Sequence, residues 1–167
     1  MYAQECVCSH HHNVHQTHDP KARLSEAKAL CQSRGVRFTP LREEVYLLIL
    51  SANKPLGAYD LISALQSNRQ QTHAKNKNVA PPTVYRSLEF LLAEGLIHQL
   101  SSINAYVPCC HPRSQHAAAF LICKKCHSVE ECSNMPVDSI IEFAKQDAKF
   151  AIERTVIELK GICHACQ

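Results

Sequence analysis

No stretch of this 167-residue chain approaches the roughly 18 consecutive apolar residues of a membrane span, and its polar N-terminus lacks the apolar core of a secretory signal. A cytoplasmic protein with no membrane partner is expected. No internal repeat is visible, which argues against a solenoid. Strong charge of either sign is also missing, since the formal net charge is +3. The excess is local, however. Residues 1–20 carry Glu5 and Asp19 with no Lys or Arg, residues 21–107 hold 11 basic and 6 acidic side chains, and residues 108–167 hold 7 of each. The middle of the chain therefore suits an acidic partner, and the C-terminal part has another duty.

With 46% hydrophobic and 20% charged residues the composition is globular, enough for one ordinary domain or two small ones. Ten cysteines are present. In a reducing compartment C-x-x-C pairs point to metal or redox use rather than to disulfides. Two cysteines and five histidines crowd into "CVCSHHHNVHQTHD": Cys6, Cys8, His10, His11, His12, His15 and His18. Thiolate and imidazole suit zinc, but this segment has no apolar periodicity to hold a single geometry. It reads as a flexible tail over residues 1–20, either inert or a weak collector of metal.

Helical spacing then begins. Leu24, Ala27, Leu30 and Cys31 share a face in a first helix that Gly35 stops. Thr39 as N-cap and Pro40 at the first position open a second, with Leu41, Val45, Leu48 and Ile49 as its stripe. "AYDLISALQS" predicts a short third helix, and "NRQQTHAKNKNV", with Arg69, Lys75 and Lys77, a mobile basic loop. Pro81 and Pro82 enter a fourth helix whose stripe is Val84, Leu88, Leu91 and Leu92 and whose stop is Gly95. "LIHQLSSINAYVP" then reads as a β-hairpin. Helices followed at once by a hairpin predict a winged helix-turn-helix over residues 21–107, with the fourth helix entering the major groove.

Beyond Pro108, "AAAFLICKKCHSVEEC" reads as a strand, a C-x-x-C turn and a second strand. A helix over "PVDSIIEFAKQDA" and a strand within "FAIERTVIELKGIC" follow. Residues 108–167 thus form a small α/β domain, and the chain as a whole is α+β. About 60 residues make a marginal core, so a metal staple or dimerisation is expected to support it. Cys123 and Cys126, with Cys163 and Cys166, supply it: two C-x-x-C pairs suit a closed tetrahedral zinc site. A more dispersed set, His98, Cys109, His116 and Glu131, would let one ion join the hairpin, the interdomain link and the second domain. Taken singly, each of these is an ordinary surface residue.

"RFTPLREEV", "AYDLISAL", "PPTVYRSLEFLLAEGLI" and the two C-x-x-C pairs together resemble the ferric uptake regulator superfamily of bacterial metalloregulators, across about residues 22–167. "GLIHQL", "FLICKKC" and "VIELKGICHAC" are similar to its zinc uptake regulator branch. The resemblance implies two zinc ions per chain. One would be structural, on Cys123, Cys126, Cys163 and Cys166; the other would be regulatory, on His98, Cys109, His116 and Glu131. Cys110 and His111 directly follow Cys109, and Glu130 precedes Glu131, as alternative ligands. The dense His-Asp-His run of iron-sensing relatives is missing; "SQHAAAFLIC" stands there, and a thiolate ligand favours zinc over ferrous iron.

For DNA, the resemblance implies contacts from Thr83, Tyr85 and Arg86 on the recognition helix and from Tyr59 on the third. Tyr85 alternatively packs between helices. Arg86 suits a guanine edge, and Arg42 with the basic loop suits phosphates. The expectation is a zinc-responsive repressor, not an enzyme, that binds palindromic operator DNA as a homodimer, takes no small organic substrate and controls zinc-uptake genes. Rivals are a regulator of the same scaffold sensing iron, nickel or peroxide, and a zinc storage or delivery protein. A zinc hydrolase on His98, His116 and Glu131 fits poorly, because four candidate ligands leave no open position.

Overall fold

The computed structural model describes residues 19–71, 78–112, 118–132, 136–152 and 155–167. They form two compact units, one over the described residues 19–112 and one over 118–167. Among the described residues, no helix is long and apolar enough to cross a membrane.

The first unit is built from four helices and a hairpin. Helix α1 (Pro20–Ser33) starts on Asp19, whose carboxylate accepts the Lys21 amide at 3.1 Å, and Pro20 occupies the first turn, where its missing N–H costs nothing. It stops where Gly35 takes a φ of +68°, a left-handed conformation that glycine adopts without strain, and Val36 donates back to the Cys31 carbonyl at 3.0 Å. Helix α2 (Pro40–Ser51) buries Val45, Tyr46 and Ile49 and packs against α1, α3 and α4. Thr39 is its N-cap, although its hydroxyl makes no capping bond. Helix α4 (Pro81–Ala93) buries Val84, Leu88 and Leu91, the stripe its sequence predicts, and Gly95 closes it at φ +65°.

Helix α3 (Ala58–Gln71) is longer than its apolar pattern indicates. The expected basic loop does not begin at Arg69, which belongs to the last turn of the helix and pairs with Glu44 of α2 at 3.0 Å. That interhelical pair, invisible in local sequence, adds to a run of Asn, Arg and Gln that contains no Gly or Pro to end it. Lys75 and Lys77 lie outside the described residues.

Strands β1 (Ile97–Leu100) and β2 (Ala105–Pro108) form the antiparallel hairpin, with His98 opposite Val107 and Gln99 opposite Tyr106. Leu56, in the connection between α2 and α3, adds a bridge on the outer side of β2 through two bonds to Tyr106 at 2.9 and 3.2 Å. The wing is thereby tied to the start of α3.

In the second unit β3 (Ala118–Cys123) is central, with β4 (Val129–Cys132) antiparallel on one side and β5 (Val156–Gly161) parallel on the other. Parallel neighbours need a long crossover, and the connection after β4 through α5 (Asp138–Gln146) provides it. The pairing aligns Cys123 with Gly161, which brings both C-x-x-C turns to one end of the sheet. Among its described residues, Ala118, Ala119, Phe120, Ile122, Cys123 and Val137 are buried. Helix α5 buries nothing: Ile140 is 59% and Phe143 63% exposed.

Candidate metal centres and nucleic-acid interface

The four cysteines of the C-x-x-C pairs converge. Their sulfurs all lie within 4.8 Å of one another, with Cys126 and Cys163 Sγ at 3.6 Å. Two main-chain bonds set this up: the Lys124 amide donates to the Gly161 carbonyl at 2.9 Å, and the Cys163 amide points at Cys123 Sγ at 3.4 Å. Lys125 closes the far turn by donating to the Cys166 carbonyl at 2.7 Å. The amide of Cys163 is the main reason the Cys123 thiol is pulled down to about 5. Hydrogen bonding to Ser128 lowers Cys126 as well, whereas Cys166, bonded to Cys163, is pushed up to about 12. Four sulfurs at these separations cannot all ionise against their mutual repulsion unless a cation sits among them, and four thiolates in a tetrahedral cluster are a zinc donor set. The residues therefore fit a closed metal site. His127 and His164 next to it are exposed and are not among the clustered ligands.

His98 and Cys109 meet by strand geometry. His98 stands opposite Val107, and the ladder continues past Pro108, because the Cys109 amide donates to the Leu96 carbonyl at 3.0 Å. Two residues beyond Val107, Cys109 lies on the same face as His98 as its diagonal neighbour. A ligand nitrogen of His98 and the sulfur of Cys109 are within 4.8 Å, and both residues are buried. Cys110 instead lines a cleft of about 230 Å³ with Arg23, Glu26 and Tyr46. Burial pushes the Tyr46 phenol there up to about 12, against the opposing pull of the Arg23 guanidinium. In the second unit, strand alternation separates the two candidate glutamates: Glu130 is exposed opposite the exposed Leu121, whereas Glu131 is half-buried opposite the buried Phe120. His116, and the tail residues Cys6, Cys8, His10, His11, His12, His15 and His18, lie outside the described residues.

The profile of the ferric uptake regulator family matches residues 33–160. The chain belongs to this family. It is 38% identical over 145 residues to the zinc uptake regulation protein of Escherichia coli strain K12, covering 86% of this chain and 80% of that protein. A solved zinc uptake regulator in complex with zinc and DNA superimposes with a TM-score of 0.77 at 36% identity, over 88% of this chain and 94% of that one. Holo XcZur gives 0.70 at 39% identity, over 86% and 97%.

In this ferric uptake regulator family member, α4 presents Thr83, Tyr85 and Arg86 to solvent while Val84, Ser87 and Leu88 face inward. Tyr85 is 40% and Tyr59, at the start of α3, 77% exposed, so neither ring is core packing. Arg42 is differently placed. Its guanidinium stacks 3.6 Å from the centre of the Phe90 ring and donates to the Arg37 carbonyl, so it braces α2 against α4. The role of Arg23, which donates to the Cys109 carbonyl, has no signal in the sequence: on α1 it reads as one more solvent-facing basic residue.

Proposed function

We propose that this protein is a zinc-responsive transcriptional repressor that binds palindromic operator DNA as a homodimer and controls zinc-uptake genes. The reading rests above all on the buried His98–Cys109 pair, which places a thiolate and an imidazole together on the wing of a DNA-binding fold. That donor pair favours zinc over iron. It is supported by a relative named for zinc uptake regulation and by a structural neighbour that holds zinc and DNA. Family members are regulators of transcription and not enzymes.

In this proposal Cys123, Cys126, Cys163 and Cys166 hold a structural zinc, and His98, Cys109, His116 and Glu131 hold a regulatory one, two ions per chain. Bound zinc supplies a cross-link between groups distant in sequence. His98 and Cys109 are the ligands carried by the wing, next to the recognition helix, so occupancy there is sensed where DNA is read. Exposed Ile140 and Phe143 on α5 and Leu159 on β5 form apolar surface that one chain leaves uncovered, which supports a second copy as its cover. Two recognition helices about 34–36 Å apart would then meet neighbouring half-sites. By linkage, operator DNA tightens the regulatory zinc.

A promoter-fragment gel shift with and without zinc tests the proposal. A complex that needs zinc and weakens steeply with salt is expected; a storage protein would bind many metals per chain and no specific DNA. Arg86→Ala should cost about 1–3 kcal/mol of operator binding and relax preference at one base pair, since an arginine reads guanine with two hydrogen bonds. Equal losses on operator and random DNA would reassign Arg86 to phosphate contact.

A further inference from the structure

Cys109 is held at both ends of its own main chain. Its amide is fixed by the hairpin ladder, through the Leu96 carbonyl at 3.0 Å. Its carbonyl is fixed by a side chain from elsewhere: Arg23 Nη2 donates to it at 2.5 Å, a partly buried contact across 86 residues of sequence. Arg23 sits on α1, four residues after the Asp19 cap, and forms a wall of the cleft that Glu26, Tyr46 and Cys110 also line. The two bonds bracket the Cα of Cys109. They therefore restrict its φ and ψ together, and with them the direction in which its Sγ leaves the strand end.

We propose that Arg23 is a positioning residue for the regulatory metal site: its hydrogen bond to the Cys109 carbonyl aims the thiolate at the ion and makes helix α1 part of the zinc switch. The inference rests on the reading of Cys109 as a regulatory ligand. The physical case is that metal affinity depends on how far ligands are oriented before the ion arrives. Partners that orient ligands from the outer shell typically contribute about 10–100-fold to affinity. Cys109 follows directly on the last strand residue, Pro108, and its own amide carries the hairpin ladder one step further, to Leu96. Beyond the strand, the Arg23 bond holds the carbonyl side of Cys109 as the Leu96 bond holds its amide side. Arginine suits the task because its charge is permanent and its planar fork bonds a carbonyl directionally.

The test compares wild type, Arg23→Gln, Arg23→Lys and Cys109→Ser as full-length protein in buffered zinc, reading the free zinc at half-maximal operator binding. Thermal melting, structural-zinc content and the spectrum of the cobalt(II)-substituted regulatory site are read in parallel. Arg23→Gln is expected to need about 10–100-fold more free zinc. It should reach wild-type operator affinity at saturation, keep its structural zinc and melting temperature, and show a weakened thiolate-to-cobalt charge-transfer band. Arg23→Lys, whose longer, charged side chain reaches further toward the carbonyl than the shorter glutamine amide, should recover most of the affinity. An unchanged zinc midpoint in Arg23→Gln while Cys109→Ser loses the switch would overturn the role of Arg23 alone. A midpoint shift accompanied by lost operator affinity at saturating zinc would overturn it too, as the mark of a merely structural contact. If Cys109→Ser itself switched at the wild-type zinc level, the ligand assignment beneath the inference would fall with it.

Discussion

Cys163→Ser is expected to leave the second unit unable to hold its fold, giving aggregated or monomeric protein that has lost one zinc per chain. Among the described residues its sheet has three strands, few large side chains are buried in it, and α5 adds no buried residue. A structural zinc contributes on the order of 10 kcal/mol at neutral pH, comparable with the whole stability of a typical domain. Cys163 holds two positions in the cluster: its sulfur lies 3.6 Å from that of Cys126, and its amide supports Cys123 Sγ. Serine keeps the amide and removes the sulfur, so the variant isolates the metal bond. Size-exclusion chromatography with metal analysis checks the outcome; a well-folded, zinc-responsive dimer would count against the staple.

The second large effect concerns the switch. In Cys109→Ser, operator binding at free zinc that saturates the wild type is expected to be lost, a shift beyond the about 10–100-fold that outer-shell changes cost. Serine preserves the size of a fully buried side chain and its main-chain bonds to Leu96 and Arg23, so packing is conserved. Only the thiolate disappears, and the nitrogen and oxygen ligands that remain do not distinguish zinc from competing metals as sharply. Buffered-zinc fluorescence anisotropy with a labelled operator reads the shift. Retained folding at unchanged structural-zinc content separates this variant from Cys163→Ser.

Much of this was legible because the relevant signals are local. Pro40, Pro81, Gly35 and Gly95 mark helix ends through backbone restrictions that act within a few residues. The stripe of α4 and the C-x-x-C pairs follow from spacing alone. What was not legible depends on partners distant in the chain. The parallel pairing of β5 with β3 leaves the same alternation an antiparallel strand would. The last turn of α3 is held by Glu44, 25 residues away, and Leu56 becomes a sheet partner only because Tyr106 lies beside it. The stacking of Arg42 on Phe90, a residue 48 positions away, likewise has no signal in the local sequence. The choice of Cys109 over Cys110 as neighbour of His98, and the half-buried place of Glu131, emerge only once strand register is known.

If occupancy by zinc, and not by another metal, licenses DNA binding, titrating the wild-type protein with buffered free zinc and, separately and anaerobically, with ferrous iron will separate the two metals in their effect on binding to a promoter fragment. Zinc is expected to drive operator binding at the lower free concentration, and iron at matched concentration is not. Activation by ferrous iron at lower free metal than zinc would contradict this expectation.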